Sequence, residues 1–508
     1  MESLRSAHSR PGDQRFASSA TTTRTYADAL NKLSLLQSNR ATTHLFDQQQ
    51  QPASPSRDLN APAIPEMLAW LRRAGYTPQD LARMRHIHVA GSKGKGSVCA
   101  YATAMLTRCR GADGGSVGTY TSPHLVSPRE RIAIDGEPVA QDVFTAAFFE
   151  VWDRLSEAAR RDGVEAREAE GPASKPFYFR FLTILAWHIF LGRGVRDVVV
   201  ECGIGGEHDS TNVLPPEAVS AAVVSQLGID HVAMLGDTVE KIAWHKAGVF
   251  KRGRKAFTRR LGAQPGVMDV LRSRAEEKGA TLVELDDATV EAWGGVRGAL
   301  EGDFQKYNQA LAVMAVREHL GMETDDASSL LDTPEVMIEG LREAKLRGRG
   351  EMVQRGEVKW YLDGAHNRDS LEGVAMWLAR ELEPDESVVL VFNQLDRDVS
   401  ELLATFIEAI RIHTGRRDVF SHALFTSNDV EQPANAETRD LAVQERAAAT
   451  MRNLCPGCTV HMSDNITHTV AEAQRIAEGE TGKQKVLVTG SMHLVGGVLK
   501  VLEPQGLL

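Results

Sequence analysis

The feature that most constrains the fold of this 508-residue chain is a short predicted strand, residues 86–90, followed by a glycine-rich turn and a helical pattern at 98–107. Glycines let backbone amides point inward around an anion, and the start of a helix adds positive potential. Lys95 can bring its charge to the β- and γ-phosphates of a nucleotide. The segment therefore predicts a phosphate-binding loop. Its candidate residues are Gly91, Lys93, Gly94, Lys95, Gly96 and Ser97.

The spacing of this loop departs from the common GxxxxGK[ST] pattern of nucleotide-binding proteins. Gly96 stands between Lys95 and Ser97, and Gly91 lies closer to the lysine than that pattern requires. A glycine-rich surface turn with incidental lysines therefore remains the alternative for the segment taken alone.

From about residue 60, short β-branched runs alternate with longer helical stretches, which is typical of a parallel sheet covered by helices. Ligands collect at the carboxyl ends of such strands, so the residues that follow them form the candidate site. We predict an α/β chain with a mostly parallel sheet flanked by helices and a smaller α/β domain after it. Candidate strands are residues 86–90, 195–201, 218–225, 359–362, 388–392 and 486–489.

The length of the chain predicts two domains, because one ordinary core rarely grows to this size. Residues 322–334 are acidic and poor in large apolar groups, and a new alternation begins beyond them. The first 25 residues are rich in Ser, Thr and Arg, which fits a mitochondrial presequence and a disordered tail equally well. We predict an N-terminal extension at 1–60, a first domain at 61–321, a linker region at 322–345 and a second domain at 346–508.

Composition disfavours several classes of function. The formal net charge is −10, so no large basic field is available to hold nucleic acid. No run approaches the roughly 18 uncharged apolar residues of a membrane-spanning helix. Five cysteines do not form a disulfide framework, which fits a reducing compartment. Cys455 and Cys458 form one CxxC, for which a turn is favoured over a zinc site because no second pair is visible.

Polar side chains follow the predicted strands of the first domain. Glu201 ends an apolar strand, where a carboxylate is poorly solvated unless it binds something positive such as Mg²⁺. Helix capping or pairing with a lysine is the alternative. His231 follows Asp230, and a lone histidine there is more often a hydrogen-bonded structural residue than a ligand. Lys246 lies in a helical pattern at 238–249, where a solvated surface charge is the ordinary expectation.

In the second domain, Arg349 precedes Asp363 by one strand-and-turn unit. Asp363 follows the predicted strand at 359–362, so it lies where ligands collect in such sheets. The residues alone nevertheless favour an ordinary ion pair between two loops.

The glycine-rich loop resembles that of the Mur ligase superfamily, and further segments in the same order resemble its folylpolyglutamate synthases. These segments span about residues 86–500. Asn367-Arg368 and Gly206-Glu207-His208 depart from bacterial members, whereas 176–183 and 486–500 resemble eukaryotic ones, so a eukaryotic type is expected. The similar segments are residues 88–97, 121–131, 201–212, 228–231, 242–248, 348–349, 362–367, 392–393 and 488–497.

This resemblance implies a P-loop ATPase-like first domain, a Rossmann-like second domain, and a ligase that depends on ATP and Mg²⁺. The implied reaction adds L-glutamate to the γ-carboxylate of (poly)glutamylated tetrahydrofolate through an acyl phosphate, and releases ADP and phosphate. A dihydrofolate synthase or bifunctional enzyme of the superfamily is the alternative. A catalytically inactive nucleotide-binding regulator is the alternative from a different class. A monovalent cation such as K⁺ is left open as a further cofactor.

By the same resemblance, the metal ions are held by Ser122, Glu201 and His231. The lysine at the position of Lys246 is carbamylated in the family and thereby becomes anionic, although His245 stands beside it where bacterial relatives carry Glu. No nucleophilic Ser or Cys is expected. The predicted catalytic residues are Lys95, Glu201, His231 and Lys246.

The resemblance also implies contacts with ATP outside the glycine-rich loop. Arg349 is expected at the phosphates, Asp363 at the ribose or adenine side, and Asn308 at the adenine side. The expected partners are the small molecules tetrahydrofolate polyglutamate, L-glutamate and ATP, without nucleic acid or a transmembrane segment. The protein is expected to be a monomer of the cytoplasm, the mitochondrion or both.

Overall fold

A computed structural model describes most of the chain, in two compact units. The predicted targeting segment, within residues 1–23, and residues 38–61 lie outside the described part. The described residues are 24–37, 62–111, 114–300, 302–394, 398–431, 441–479 and 485–503, without the side chain of Asp369. The first unit comprises Met1–Pro123, Arg129–Val296 and Phe304–Ala344, and the second His124–Pro128, Arg297–Asp303 and Lys345–Leu508.

Within the described residues, the first unit is built on a mixed sheet of eight strands. The strands are β1 Arg85–Ala90, β2 Val117–Tyr120, β3 Ile132–Ile134, β4 Glu137–Pro138, β5 Asp197–Glu201, β6 Val219–Val224, β7 Lys255–Arg259 and β8 Thr281–Leu285. Their order is β4-β3-β2-β5-β1-β6-β7-β8. Neighbours from β2 to β8 are parallel, whereas β3 and β4 are antiparallel additions at one edge. The carboxyl ends of β5, β1 and β6 therefore lie side by side.

Helices connect and cover these strands. Among the helices of the described residues, none is both long enough and apolar enough to cross a membrane. The helices of the first unit are α1 Tyr26–Ser34, α2 Ala63–Arg73, α3 Pro78–Leu81, α4 Lys95–Arg110, α5 Gln141–Arg161, α6 Ala166–Ala169, α7 Tyr178–Gly192, α8 Val232–Leu235, α9 Val239–Lys246, α10 Pro265–Lys278, α11 Asp287–Trp293, α12 Gln305–His319 and α13 Glu335–Glu343.

The core of the first unit is built around central strands whose buried residues include apolar runs, such as residues 198–200 of β5. Every residue of β5 and β6 is buried. Parallel strands that are covered on both faces require such continuous apolar runs. Between α5 and α7, the Phe148 ring lies 5.6 Å from Trp152 and 5.0 Å from Phe181, measured between ring centroids.

Parts of the predicted extension and linker are folded into the first unit. Helix α1 begins with a capping box, in which the Asp28 amide donates to Thr25 Oγ1 and the Thr25 amide donates to Asp28 Oδ2. Its Ala29 and Leu33 are buried. The predicted linker contains a 3₁₀ helix, Ala327–Asp332, and α13, whose apolar face is buried. The domain boundaries themselves stay predictions.

The second unit repeats the architecture on a smaller scale, with a sheet of six strands among the residues that the structure describes. Its strand order is β13-β12-β11-β14-β10-β9, and all neighbours are parallel except the edge pair of β9 and β10. The elements are β9 Glu351–Arg355, β10 Val358–Leu362, α14 Arg368–Glu381, β11 Val388–Phe392, α15 Val399–Thr414, β12 Phe420–Phe425, α16 Ala442–Leu454, β13 Thr459–Met462, α17 Ile466–Gly479, β14 Lys485–Thr489 and α18 Met492–Leu502.

The two sheets with their flanking helices confirm the predicted α/β class and the predicted strands. The CxxC segment is the predicted turn, because the Cys458 amide donates to the Cys455 carbonyl over 2.9 Å.

Helix α13 approaches α4 so closely at Gly340 that an added Cβ would lie 2.7 Å from Met105 Cα. We expect Gly340→Ala to lower the free energy of unfolding by about 2 kcal/mol, because the backbone of α4 must shift. The matched control is Gly373→Ala in α14, where an added Cβ meets nothing within 4 Å. That control is expected to be neutral or stabilising by about 0.5 to 1 kcal/mol. Urea unfolding measures both, and an unchanged midpoint for Gly340→Ala would contradict this packing.

Candidate active site

The glycine-rich loop joins β1 to α4 through two residues whose conformation favours glycine. Gly91 has φ +147° and Gly94 has φ +83°. A Cβ on Gly91 would lie 1.9 Å from Ser225 Oγ, and one on Gly94 would lie 2.3 Å from Asn308 Oδ1. Asn308 is buried, and its side-chain amide donates to Gln305 Oε1 over 3.0 Å. The structure therefore brings the predicted adenine-side residue Asn308 against the turn of the loop.

The loop is braced by the segment that follows β6. The amides of Ser92 and Lys93 donate to the Gln226 carbonyl over 2.9 and 3.1 Å. The Ser92 hydroxyl donates to the Gly228 carbonyl over 2.7 Å, and the Ser225 hydroxyl donates to the Lys93 carbonyl over 2.7 Å. Because these groups are engaged within the protein, the amides best suited to an anion are those that begin α4, which have no partner inside the helix.

Two lysine ammonium groups converge on the carbonyl of Gly91. Lys95 Nζ donates to it over 3.0 Å and Lys246 Nζ over 2.9 Å. Lys246 also pairs with Asp230 Oδ2 at 3.1 Å. Its side chain is 1% exposed, so the ordinary expectation of a solvated surface charge is wrong.

The electrostatic surroundings of Lys246 favour its neutral form. Burial lowers the pKa of Lys246 to about 8, the Lys95 charge adds to this effect, and Asp230 opposes it. A substantial fraction of this side chain is therefore a free amine in mildly alkaline solution. A neutral amine can act as a nucleophile, which an ammonium cannot.

Glu201 closes β5 beside the end of β1, where its Cα pairs with that of Val89. Its side chain is 4% exposed, and its Oε2 accepts the Ser122 amide over 3.1 Å. The structure therefore brings together two of the three predicted metal ligands.

His231 occupies a special backbone position just beyond β6. Its φ is +44°, a left-handed conformation that is uncommon for a residue with a side chain, and it precedes the short helix α8. Sparsely populated conformations of this kind cluster at functional sites. Beside it, Asp230 Oδ1 is buried with no hydrogen-bond partner among the described residues. The metal-binding role of His231 stays a prediction.

The chemistry of these donors fits Mg²⁺ in part. Mg²⁺ prefers oxygen ligands and usually takes only one or two carboxylates, with waters and substrate phosphates completing its shell. Buried Glu201, the orphaned oxygen of Asp230 and the Ser122 hydroxyl are ligands of this type. The imidazole of His231 is the least typical of them. Among the described residues, no three His, Cys, Asp or Glu side chains form a group that could hold a metal ion by themselves.

Residues outside the predicted set also build this site. Ser225, Gln226 and Gly228 hold the loop, and Asp230 holds Lys246. Their position directly after a buried strand is the signal that was available in the sequence, because such positions line up at one edge of a parallel sheet.

Asp363 of the second unit fastens the loop that carries Arg349. Asp363 Oδ2 accepts the Gly350 amide and Oδ1 accepts the Ala365 amide, both over 2.8 Å. Burial raises the pKa of the Asp363 carboxyl, and the nearby Arg349 charge opposes this. Each oxygen of the carboxylate thus accepts a hydrogen bond from a backbone amide. The predicted ion pair between two loops did not include these bonds.

Known proteins resemble the chain over nearly its whole length. A folylpolyglutamate synthase of Neurospora crassa is 37% identical over 507 residues, which cover 95% of this chain and 92% of the relative. One from Saccharomyces cerevisiae is 35% identical and covers 94% of this chain and 87% of the relative. The model for the C-terminal domain of dihydrofolate synthetase matches residues 348–501.

Solved structures of the same kind confirm the fold. A Mycobacterium tuberculosis folylpolyglutamate synthase complexed with ADP and AMPPCP aligns with a TM-score of 0.67 and 24% identity, covering 93% of this chain and 99% of that chain. The E. coli FolC structure in complex with DHPP and ADP aligns with a TM-score of 0.62 and 21% identity, covering 96% and 100%.

These matches extend far beyond the glycine-rich loop and include both units. The two relatives compared by sequence are fungal, which confirms the predicted eukaryotic type. The chain belongs to the folylpolyglutamate synthase family.

Proposed function

We propose that the chain is an ADP-forming ligase that adds L-glutamate to the γ-carboxylate of (poly)glutamylated tetrahydrofolate. The observation that carries the proposal is the convergence of Lys95 and Lys246 on the Gly91 carbonyl, at the start of α4 and beside buried Glu201. The charge of Lys95 next to the start of a helix suits the polyphosphate of ATP. The monomeric state and the cellular location stay predictions.

The first step transfers the γ-phosphoryl group of ATP to the folate carboxylate. A free carboxylate is a poor acyl donor, and the acyl phosphate provides a good leaving group. Lys95 and the amides that begin α4 hold the phosphates and stabilise the charge that develops during the transfer. The roles of Arg349 at the phosphates and of Asp363 and Asn308 at the ribose and adenine side stay predictions. Within the second unit, Asp363 fixes the loop that carries Arg349.

In the second step, the amino group of L-glutamate attacks the acyl carbon. The tetrahedral intermediate collapses to an amide and releases phosphate, so one ATP is converted to ADP and phosphate for each amide bond. Because water would hydrolyse the acyl phosphate, the site must exclude bulk solvent while this intermediate exists. No protein nucleophile takes part.

Mg²⁺, with K⁺ as a further candidate ion, fits the oxygen-rich end of this site. We assign Ser122, Glu201 and His231 as its protein ligands, supported by the contact of the Ser122 amide with Glu201. When bound, Mg²⁺ neutralises phosphate charge and orients the γ-phosphoryl group.

We further propose that Lys246 reacts with CO₂. The neutral amine adds to the carbon of CO₂, loses a proton and becomes an anionic carbamate. The lowered pKa of Lys246, about 8, supports this assignment because only the neutral amine reacts. The carbamate would exchange the present ammonium pairing with Asp230 for an interaction with a cation.

Dihydrofolate synthase activity is the second candidate function. The matched family model is described as the C-terminal domain of dihydrofolate synthetase, whereas the relatives that match the whole chain are folylpolyglutamate synthases. We favour the latter because that match covers both units.

Replacement of Lys95 tests the ATP site. We expect Lys95→Ala to lower Mg²⁺- and ATP-dependent incorporation of labelled glutamate into tetrahydrofolate by about 100-fold or more, because a charge that stabilises the transition state is lost. The control is Lys241→Ala, which removes an exposed lysine of α9 that pairs with Asp237. Full activity of Lys95→Ala would exclude the proposed role, and so would the same loss in the control.

Replacement of Lys246 tests the carbamate. We expect Lys246→Ala to lose about 100-fold or more of kcat, and added acetate or propionate to restore part of it by occupying the place of the carbamate. In the unmodified protein, removal of CO₂ and bicarbonate is expected to lower kcat reversibly. Lys246→Ala with wild-type kcat, or wild-type protein that is indifferent to bicarbonate, would contradict the assignment.

The two candidate functions differ in the folate that they accept. We expect kcat/KM for tetrahydrofolate monoglutamate to exceed that for dihydropteroate by at least 10-fold, measured with the same labelled glutamate. A preference for dihydropteroate would replace the proposed function with dihydrofolate synthase. Absence of turnover with either substrate, while ATP still binds, would favour the inactive regulator.

A further inference from the structure

Lys251 is a partly buried lysine that the proposed reaction does not use. Its ammonium donates to Asn212 Oδ1 over 2.9 Å and to the Asn212 carbonyl over 3.2 Å. Burial lowers the pKa of Lys251 to about 8, so its charge is held there at a free-energy cost. Loss of this ammonium would remove a donor from both acceptors, and a buried acceptor left unsatisfied costs free energy.

Asn212 passes this attachment on to two backbone segments. Its side-chain amide donates to the Glu207 carbonyl over 3.0 Å and to the Gly248 carbonyl over 3.1 Å. Glu207 belongs to the loop that follows Glu201, and Gly248 lies in the turn that follows Lys246. Asn212 therefore joins the loop that follows Glu201, a predicted metal ligand, to the end of α9, which carries Lys246.

The loop around Glu207 and the end of α9 are in direct backbone contact. The Glu207 amide donates to the His245 carbonyl over 2.7 Å. A Cβ on Gly206 would lie 2.8 Å from the Lys246 carbonyl oxygen, and one on Gly248 would lie 2.3 Å from Glu207 Cα. Two glycines thus let the backbones meet directly, so a shift in one segment is transmitted to the other.

The side chain of Glu207 anchors the same junction from α10. It pairs with Arg274 and, at 2.9 Å, with Lys278. The Arg274 guanidinium also lies 4.3 Å from the ring centroid of Trp244, two residues before the end of α9. The side chain of Glu207 is therefore held by α10. Its backbone carbonyl is held by Asn212, which in turn is held by Lys251.

We propose that Lys251 and Asn212 are positioning residues for Lys246: they lock the end of α9 onto the loop after Glu201 and so hold the Lys246 amine at the Gly91 carbonyl. This inference rests on the proposed catalytic role of Lys246. Neither residue touches the reacting atoms. Without the Lys251 ammonium, both oxygens of Asn212 lose a donor, and the junction relaxes.

The test compares Lys251→Met and Asn212→Ala with a matched control, Lys175→Met. Lys175 is also buried, burial also lowers its pKa to about 8, and its ammonium also donates to a carbonyl, that of Ala169, over 2.6 Å. We expect kcat of Lys251→Met and of Asn212→Ala to fall by about 10- to 100-fold, because small displacements of a catalytic group have effects of this size. KM for ATP, tetrahydrofolate and glutamate should change by less than about 3-fold, and the control should keep its kcat.

Thermal melts first identify a temperature at which all three variants are folded. Assays at that temperature separate a loss of positioning from a loss of stability. The double variant is expected to lose no more kcat than Asn212→Ala alone, because the two residues act as one unit. Wild-type kcat in Lys251→Met, an equal loss in Lys175→Met, or multiplied losses in the double variant would overturn the proposal.

The outcome also distinguishes this inference from the proposed function. An inactive Lys246→Ala combined with a fully active Lys251→Met would overturn the positioning role alone. An active Lys246→Ala would overturn the catalytic role of Lys246, and the positioning role with it.

Discussion

The carbonyl of Gly91 is the point on which the site of the first unit depends, because two lysine ammonium groups bind it at once. Like charges repel at this distance, so the arrangement requires fixed acceptors around them. Asp230 provides one, and the Gly91 carbonyl provides the other. The glycine itself is fixed, since a side chain there would collide with Ser225. The loop, the lysines and the segment after β6 therefore form one electrostatic unit.

The order of the strands explains how distant parts of the sequence meet there. Strands β5, β1 and β6 are adjacent and parallel, so the loops that follow them leave the same edge of the sheet. Gly91 and Asp230 lie on those loops, and Glu201 is the last residue of β5. Helix α9 places Lys246 at the same edge of the sheet, where its ammonium contacts the Gly91 carbonyl. A continuous apolar core beneath it keeps these polar groups in register, because close-packed interiors resist displacement.

The departures of this chain from bacterial members acquire a physical meaning in the structure. Glu207 forms ion pairs with Arg274 and Lys278 from α10. His245, in place of a bacterial Glu, packs edge to face against Trp244, with ring centroids 5.0 Å apart. Both side chains thus take part in local contacts, and the backbone hydrogen bond from Glu207 to His245 joins the two segments.

The sequence by itself determined the α/β class, the main strands and the glycine-rich loop, because apolar runs and glycine spacing are local signals. It also placed Glu201 at the end of a strand and Lys95 in the glycine-rich loop that follows another. Only the tertiary structure decided that Lys246 is buried, that it shares an acceptor with Lys95, and that Asp363 binds backbone amides. Burial and shared partners arise between residues far apart in the chain, and periodicity carries no information about such meetings. The contact between Lys251 and Asn212 was likewise decided by the tertiary structure, because it forms only where the loop after β5 folds against the end of α9.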